Sequence, residues 1–522
     1  MKKSKACLLL AAIIATTTIG TACTKNTEKA SGGSDIDLSS YPIKTDVKLT
    51  YYMPLRSESA GIIENYSESS FAKEYEKRTG VKIEYIHPPV GQEAATLGLL
   101  IASGELPDIM QNNWTTYQGG VSGAVNDEVI VPLNDYKEYA PAYFKKLSEN
   151  PLWDKIAKND EGYYSGFEFL QGSSKLRNVC GPAIRMDWLN ELGLSIPETL
   201  EDWETVLTAF KEKKGATAPL STIAKGQMYT MFGAHYGLYI DGDQYKHGYA
   251  EPEMKEALIR MNDWFKKGLL DKNIVTVDAK AVDTQVLTGQ TGAVVATGGD
   301  IGRYMTAASE DGFDLTGIRY PLINGKDNSS MCVVHPLQCY TAAISAQCKH
   351  PELAAKVLDY LYTEEGEILA NFGVEGETFE MVDGKPIYKD IIAKNPDGLS
   401  MMEALSLHVK AGAVGPYECQ VGYIEQYYGM PQQQSALNAW QIGFEESEAH
   451  RTLPVSLFQE EAQEASDITT ELSKYSNQQL YRFITGQDSI DKFDKYVEEM
   501  NSLGLPRLLE IYTEALKRFN NR

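Results

Sequence analysis

The sequence predicts an α/β protein made of two successive strand–helix runs. Two observations carry that prediction. Between residues 48 and 110, alternating and helical apolar spacings follow one another as strand, helix, strand, helix, strand. A second run of the same kind begins near Cys180. Strands joined through helices imply parallel pairing with crossover connections.

The elements follow in order. Residues 48–53 read as a strand. Residues 70–78 read as a helix, because Phe71 and Tyr75 are four apart and Gly80 supplies the stop. Val81, Ile83 and Tyr85 alternate with polar residues, which is strand periodicity. Residues 92–103 form a second helix closed by Gly104, and 106–110 a third strand. In the second run, residues 184–194 lead to Pro197. Thr199 and Asp202 then make a capping-box start for a helix with Leu200, Trp203, Leu207 and Phe210 on one face. Residues 293–296 read as a buried strand entering Gly298-Gly299-Asp300. Pro351 opens a helix through Tyr362. Near the C-terminus Phe493, Val497 and Met500 share a helix face, Leu503-Gly504 stops it, and Pro506 starts the last helix.

The N-terminus is an export signal. Met1 to Lys5 is basic, residues 6–18 are apolar or small, and Gly20-Thr21-Ala22 are small residues before Cys23. The apolar run is shorter than the ~20 residues a spanning helix needs, so cleavage is expected. A cysteine at the cleavage edge resembles a bacterial lipoprotein site, which makes Cys23 the lipidation candidate. Gly20 stands where such sites usually carry Leu, so ordinary cleavage after Ala22 is the alternative. Residues 24–40 are rich in Ser, Thr, Gly and Lys without apolar periodicity, as a tether is.

Of 522 residues, 49 are basic and 72 acidic, for a net charge of −23. That balance disfavours nucleic acid and anionic membrane surfaces. Beyond Cys23 lie Cys180, Cys332, Cys339, Cys348 and Cys419, an odd set without CxxC spacing, so free thiols are expected rather than a disulfide framework. The chain has 31 Tyr and 6 Trp against 15 Phe. Tyr and Trp combine a flat apolar face with a polar edge, which suits sugars, although half-buried tyrosines would give the same composition.

The segments Lys48-Leu49-Thr50-Tyr51-Tyr52, Tyr75-Glu76-Lys77-Arg78-Thr79-Gly80-Val81-Lys82-Ile83 and Glu105-Leu106-Pro107-Asp108-Ile109 resemble the extracellular solute-binding proteins of ABC importers, carbohydrate-binding family 1, to which maltose-binding protein is related. Residues 184–194, 372–379 and 484–505 look like the long Gram-positive lipoproteins that import aldouronates or complex polysaccharides. The resemblance implies a two-lobed periplasmic-binding-protein-like fold whose hinge closes on a ligand between lobes. It divides the chain into a signal (1–22), a lipidated Cys and tether (23–45), a first lobe (46–168 with return segment 337–372) and a second lobe (169–336 with a helical C-terminal segment 373–522). Crossings between lobes are expected near 165–175, 330–338 and 370–376.

Candidate ligand residues follow from strand ends and from the resemblance. In the first lobe they are Tyr52, Arg56, Asn112, Asn113 and Trp114, with Trp114 as a stacking platform. In the second lobe, Arg185 matches a sugar-contacting position of maltose-binding protein and would suit a uronate carboxylate. Asp300 matches a stacking position and would accept from a hydroxyl. Tyr236, Glu375, Trp440, Tyr427 and Tyr428 are weaker candidates.

No catalytic residue, metal or cofactor is expected. HExxH and GxSxG are missing, and Gly298-Gly299-Asp300-Ile301-Gly302 is not GxGxxG. Asn159-Asp160-Glu161-Gly162 reads as a hairpin turn rather than a calcium loop. The function expected is an oligosaccharide-binding component that serves a membrane permease, as a monomer with no nucleic-acid partner. The alternatives are a module feeding a membrane sensor, an exported polysaccharide-degrading enzyme, and a peptide ligand.

Overall fold

A computed structural model describes residues 36–222, 224–274, 276–329, 337–410 and 415–522. Cys23, the signal and most of the tether lie outside the described residues.

The first strand run folds as the spacing implies. β1 (Lys48–Tyr52) pairs in parallel with β2 (Lys82–Ile86) and with β3 (Ile109–Asn112). The helix Ser70–Thr79 connects β1 to β2. The Ser69 hydroxyl accepts from Ala72 N–H, and Gly80 ends the helix at φ 78°. The helix Glu93–Ser103 connects β2 to β3 and stops at Gly104. β3 starts three residues later than expected. Asp108 folds back instead, and its Oδ2 accepts from the Thr50 N–H at 2.8 Å and the Thr50 hydroxyl at 2.7 Å.

The complete sheet is mixed and six-stranded, in the order β14-β4-β11-β3-β1-β2. β4 (Phe167–Leu170) and β3 both run antiparallel to β11 (Leu337–Ile344). β14 (Tyr417–Glu418) lies parallel to β4. The second sheet has the order β10-β5-β9-β6. It comprises β5 (Cys180–Arg185), β6 (Leu220–Thr222), β9 (Ala293–Thr297) and β10 (Leu315–Gly317), with only the β6–β9 pair parallel. Two hairpins complete the strands: β7 (Leu238–Asp241) with β8 (Gln244–His247), and β12 (Phe379–Val382) with β13 (Lys385–Tyr388). Each main sheet organises one lobe.

The capping box at Thr199 and Asp202 forms and opens the helix Leu200–Lys214. Its Trp203, Leu207 and Phe210 pack with Trp188 and Trp264 in the second-lobe core. That core also takes Leu480, Phe483, Met500 and Leu508 from the C-terminal helices Gln459–Thr485, Phe493–Ser502 and Leu505–Asn520.

The chain passes from the first sheet to the second between β4 and β5, and back between β10 and β11. The third crossing departs from expectation. Residues 373–410 and 415–418 stay with the first lobe. Ser59 and Ser406 share a hydrogen bond at 2.8 Å, the Ser70 hydroxyl meets His408 Nδ1 at 3.1 Å, and β14 joins the first sheet. The crossing therefore follows β14, at about 419–430, and not at 370–376. The segment 373–522 belongs wholly to the second lobe only after that point.

Candidate functional site

From β1 the chain passes through two short helical turns and the helix Ser70–Thr79 to β2 on one side, and from β2 through the helix Glu93–Ser103 to β3 on the other. The strand order thus reverses at β1. The crevice outside the C-terminal ends of β1 and β3 is where open α/β sheets take ligands. Gln111 stands at that edge, accepting from the Tyr51 hydroxyl at 2.9 Å. Asn112, half-buried, ends β3 beside it.

Two cations reach this edge from elsewhere. Lys410 is 2% exposed, with its Nζ 3.2 Å from the Met53 thioether and 5.4 Å from the centre of the Tyr66 ring. Burial pushes its ammonium down to about 7. Gly415, at φ 144°, has no side chain to block the ammonium; a Cβ there would lie 2.6 Å from Gln111 Oε1 and 3.1 Å from Lys410 Nζ. Arg56 is half-buried, and its Nε is buried without a hydrogen-bond partner. Its guanidinium lies beside Tyr417, Cys419 and Tyr423. Burial raises the pKa of all three, and the Arg56 charge opposes that rise.

The second lobe presents the C-terminal ends of the parallel pair β6 and β9, at Thr222 and Gly298. Tyr236 lies over Gly226, just after β6, and its hydroxyl accepts from Gln227 Nε2 at 3.2 Å. The Tyr428 ring covers Gly298 so closely that a Cβ there would meet it at 2.7 Å. Gln433 Nε2 donates to the Gly298 carbonyl at 2.9 Å.

The helix Val421–Tyr427 joins the two edges. Tyr423 stacks on Tyr427 at 5.8 Å and 14°, and Tyr427 meets Tyr428 at 5.3 Å and 38°. One end of this tyrosine ladder sits beside Arg56 and the other on Gly298. Tyr427, half-buried, is its most open member.

Several expected site residues are occupied structurally. Trp114 is 1% exposed, packs with Met110, Ala124 and Ile130, and donates its indole N–H to the Thr341 carbonyl at 3.2 Å. Its fused rings fill the space between β3, β11 and the helix Gly120–Asn126, so it is not an open platform. Tyr52 is buried in the same core and donates to the Glu93 carbonyl. Asn113 caps its own turn, accepting from Thr115 N–H. Arg185 is fully buried between Trp188 and Phe313 and paired with Asp187 and Glu310, each at 2.8 Å. No charge is left for a ligand carboxylate. Asp300 closes a capping box with Thr297 and pairs with Arg303. Trp440 is buried, donating to the Pro182 and Ile318 carbonyls. Glu375 is exposed on the turn before β12, and no described contact joins it to the switch-point residues. Of the candidates, Arg56, Asn112, Tyr236, Tyr427 and Tyr428 stand at the facing edges.

Lys410, Gln111, Tyr417 and Tyr423 were not found by sequence reasoning. Lys410 has no local motif. Gln111 lay one residue before the segment singled out. The Tyr423/Tyr427 spacing of four was the usable signal for the ladder.

The loop 159–162 is a turn. Asn159 Oδ1 accepts from the Glu161 and Tyr163 N–H groups, and Arg518 and Arg522 hold Asp160. Among the described residues, no group of three or more His, Cys, Asp or Glu could hold a metal. A small cavity of about 40 Å³ is lined by Asn113, Trp114 and Arg522, with Glu168 as its one carboxyl. Burial pushes Glu168 up to about 8, opposed by the Thr341 hydroxyl. Glycoside hydrolysis normally uses two carboxyl groups. No helix among the described residues is long and apolar enough to cross a membrane.

The chain is similar to Lipoprotein LipO of Bacillus subtilis, 26% identical over 347 residues that cover 61% of this chain and 65% of LipO, just under two thirds of its length. It is 22% identical to the fructooligosaccharide ABC transporter substrate-binding protein FusA of Streptococcus pneumoniae, over 97% of this chain and 96% of FusA. It is 21% identical to the polygalacturonan/rhamnogalacturonan-binding protein YtcQ of Bacillus subtilis, over 85% and 88% of the two chains. The alginate-binding protein AlgQ2, in a structure without calcium ion, shares the fold at TM-score 0.69 and 22% identity, over 91% of this chain and 99% of that one. Residues 60–368 match the model of the bacterial extracellular solute-binding proteins, and the chain belongs to that family.

Proposed function

We propose that this protein captures an oligosaccharide outside the cell by closing its lobes on it, and hands it to the transmembrane permease of an ABC importer. The observation that carries this reading is the ladder Tyr423–Tyr427–Tyr428, which runs from Arg56 of the first lobe to Gly298 of the second. Tyr423 and Tyr428 are buried and back the half-buried Tyr427, whose flat face with a hydroxyl rim matches a sugar ring. Residues at strand ends on either side supply hydrogen bonds. Family membership supports the importer role, and the saccharide ligands in the names of FusA and YtcQ support the ligand class. Capture requires hinge closure and no bond chemistry, so the protein acts as a binding component and not as an enzyme. It works as a monomer.

A thermal-shift screen of oligosaccharides tests this reading. A ligand at ~100 times its dissociation constant adds ~2.7 kcal/mol to the stability of the folded protein. In Tyr427→Ala the same ligand is expected to bind about tenfold more weakly, from the lost aromatic contact and buried area, while ligand-free stability falls only by the ~0.5–1.5 kcal/mol of each lost ring contact. If no saccharide raises the melting temperature, the ligand class is wrong. Wild-type affinity in Tyr427→Ala moves the platform elsewhere.

We further propose anchoring through Cys23. The support is the export signal ending at a thiol before a Ser/Gly/Lys tether. Stable anchoring takes more than one acyl chain. Cys23→Ala is expected to release the protein from the membrane fraction into the medium; retention on the membrane rejects the anchor.

A further inference from the structure

We propose that the β7–β8 hairpin is an acid-sensitive latch: protonation of His235 and His247 frees the segment 450–456 from the hairpin and loosens the grip of the last helix on the first lobe. The inference goes beyond ligand capture and holds whatever the ligand is.

Three of the seven histidines gather at this hairpin. His235 lies just before β7, His247 ends β8, and His450 opens the segment laid against β7. The His235 ring stacks flat on Tyr239 at 3.9 Å and 3°. The His450 ring meets that pair edge-on, 5.0 Å from His235 and 5.8 Å from Tyr239. His247 meets Tyr249 edge-on at 5.3 Å. The Nδ1 atoms of His235 and His247 are buried, and neither has a hydrogen-bond partner among the described residues. A neutral imidazole tolerates this, because Nε2 can carry the proton and leave Nδ1 a lone pair. A second proton puts an N–H and a charge on a buried nitrogen with no acceptor, which is costly. That cost disappears when the ring swings into water. For His235 the movement breaks the stack on Tyr239 and the contact with His450; for His247 it opens the hairpin at the pair Leu238–His247.

The groups around the two rings do not hold a proton there. Burial holds His235 down to about 4; the His450 charge adds to that, Asp241 of the hairpin opposes it, and Lys246 adds again. Asp241 is itself paired with Lys246 at 2.7 Å. Burial holds His247 down to about 4 as well. Glu446, on the helix Phe444–Ala449, faces His450 Nε2 rather than His235. Glu251 and Glu253, at the start of the helix Pro252–Lys267, stand near Tyr239. The last helix meets the hairpin through Thr513 and Tyr512, which carry no charge.

The latch reaches the first lobe through one segment. The Ile240 N–H donates to the His450 carbonyl at 3.1 Å, and His450 Nδ1 donates to the Ile240 carbonyl at 2.7 Å. The Tyr245 hydroxyl donates to the Leu453 carbonyl and accepts from the Leu453 N–H, each at 3.2 Å. Ser456 accepts from Arg522 at its hydroxyl and from Arg518 at its carbonyl, and both arginines hold Asp160 of the first lobe. Residues 451–458 have no regular structure, so the hairpin contacts are part of what fixes them. Both folded-state values lie below the ordinary histidine value of ~6.5. The closed form is therefore fully favoured above about pH 6.5 and loses that advantage as pH falls toward about 4, each imidazole contributing up to about tenfold per pH unit.

Hydrogen exchange of the full chain, corrected for intrinsic rates and read by mass spectrometry from about pH 4.5 to 7.5, tests this. In wild type, opening of peptides covering 238–247 and 451–457 is expected to rise by up to about a hundredfold per pH unit below about pH 6. The Asp160 loop should follow, and β1 to β3 should not change. His235→Phe keeps a flat ring on Tyr239, and neither it nor His247→Gln can be protonated. Each is expected to cut the slope to about tenfold per unit, and the double variant to remove it. An acid response that survives in the double variant belongs to Asp241, Glu251, Glu253 or Glu446, and the latch falls. A flat response in wild type, or β1 to β3 opening in step with the hairpin, also overturns it. If the variants do not fold, the ring signals of wild-type histidines decide by NMR. Both rings are expected to titrate below about 5 in the folded protein, and titration of either near the ordinary ~6.5 overturns the latch.

Discussion

Trp114→Ala is expected to lower the unfolding free energy by about 3–5 kcal/mol, the range for removing a large aromatic from a packed core, and to leave the saccharide affinity of the folded protein within about twofold. The indole is 1% exposed, sits against Met110, Ala124 and Ile130, and donates to the Thr341 carbonyl. Truncation opens a cavity between two strands and a helix and strips a buried carbonyl of its partner. Both losses fall on the fold, since the ring presents no free face to a sugar. Urea unfolding measures the first effect and calorimetry the second. A variant as stable as wild type that binds saccharide tenfold more weakly would restore Trp114 as a platform. The same reasoning extends to all six tryptophans. Trp114, Trp153, Trp188, Trp203, Trp264 and Trp440 are all buried, so no tryptophan offers an open face.

That outcome indicates where sequence reading succeeds in this chain. Periodicity and caps are local, and they locate β1, β2, the helix Ser70–Thr79 and the start of the helix Leu200–Lys214 to within a residue or two. Strand ends also lead to the switch-point edge of the first sheet, where Arg56 and Asn112 stand. A strand end does not decide which way a side chain turns, however. Trp114 follows β3 by two residues and turns inward; Arg185 ends β5 and is enclosed by Trp188 and Phe313. Some of the errors had readable warnings. Thr297 and Asp300 repeat the spacing of Thr199 and Asp202, so the second capping box was as readable as the first. Asp187, two residues after Arg185, already offered it a counter-charge. Other features left no local trace. β14 has two residues, too few for any period, yet it sets the third crossing. Lys410 lies far along the chain from the β1 and β3 ends it joins, and only the folded topology brings it there.

Arg522→Ala is expected to cost about 3–5 kcal/mol, the range for removing one partner of a buried ion pair. The Arg522 side chain is 3% exposed and that of Asp160 is 16% exposed. Its Nε donates to Asp160 Oδ1 at 2.7 Å, and its two terminal nitrogens reach the Lys155 and Lys158 carbonyls and the Ser456 hydroxyl. Burial depresses the Arg522 pKa more than Asp160 raises it. The buried charge is therefore not itself a net stabiliser, yet breaking the pair is a large loss, because Asp160 and two carbonyls stay buried with fewer partners. Arg518 remains 3.2 Å from the other Asp160 oxygen but is shared with Glu461. The position makes the loss structural for the whole molecule. The last helix packs on the β7–β8 hairpin of the second lobe, where Tyr245 N–H donates to Thr513 and Tyr245 meets Tyr512 at 5.3 Å. Its end grips the first-lobe loop that carries Asp160. Urea unfolding of Arg522→Ala, Asp160→Asn and the double variant measures the pair. If the two residues act together, the double variant should fall well short of the sum of the singles. Additive effects, or a loss below about 1 kcal/mol for Arg522→Ala, as for an exposed pair, would mean the contact is solvated and does not hold the last helix to the first lobe.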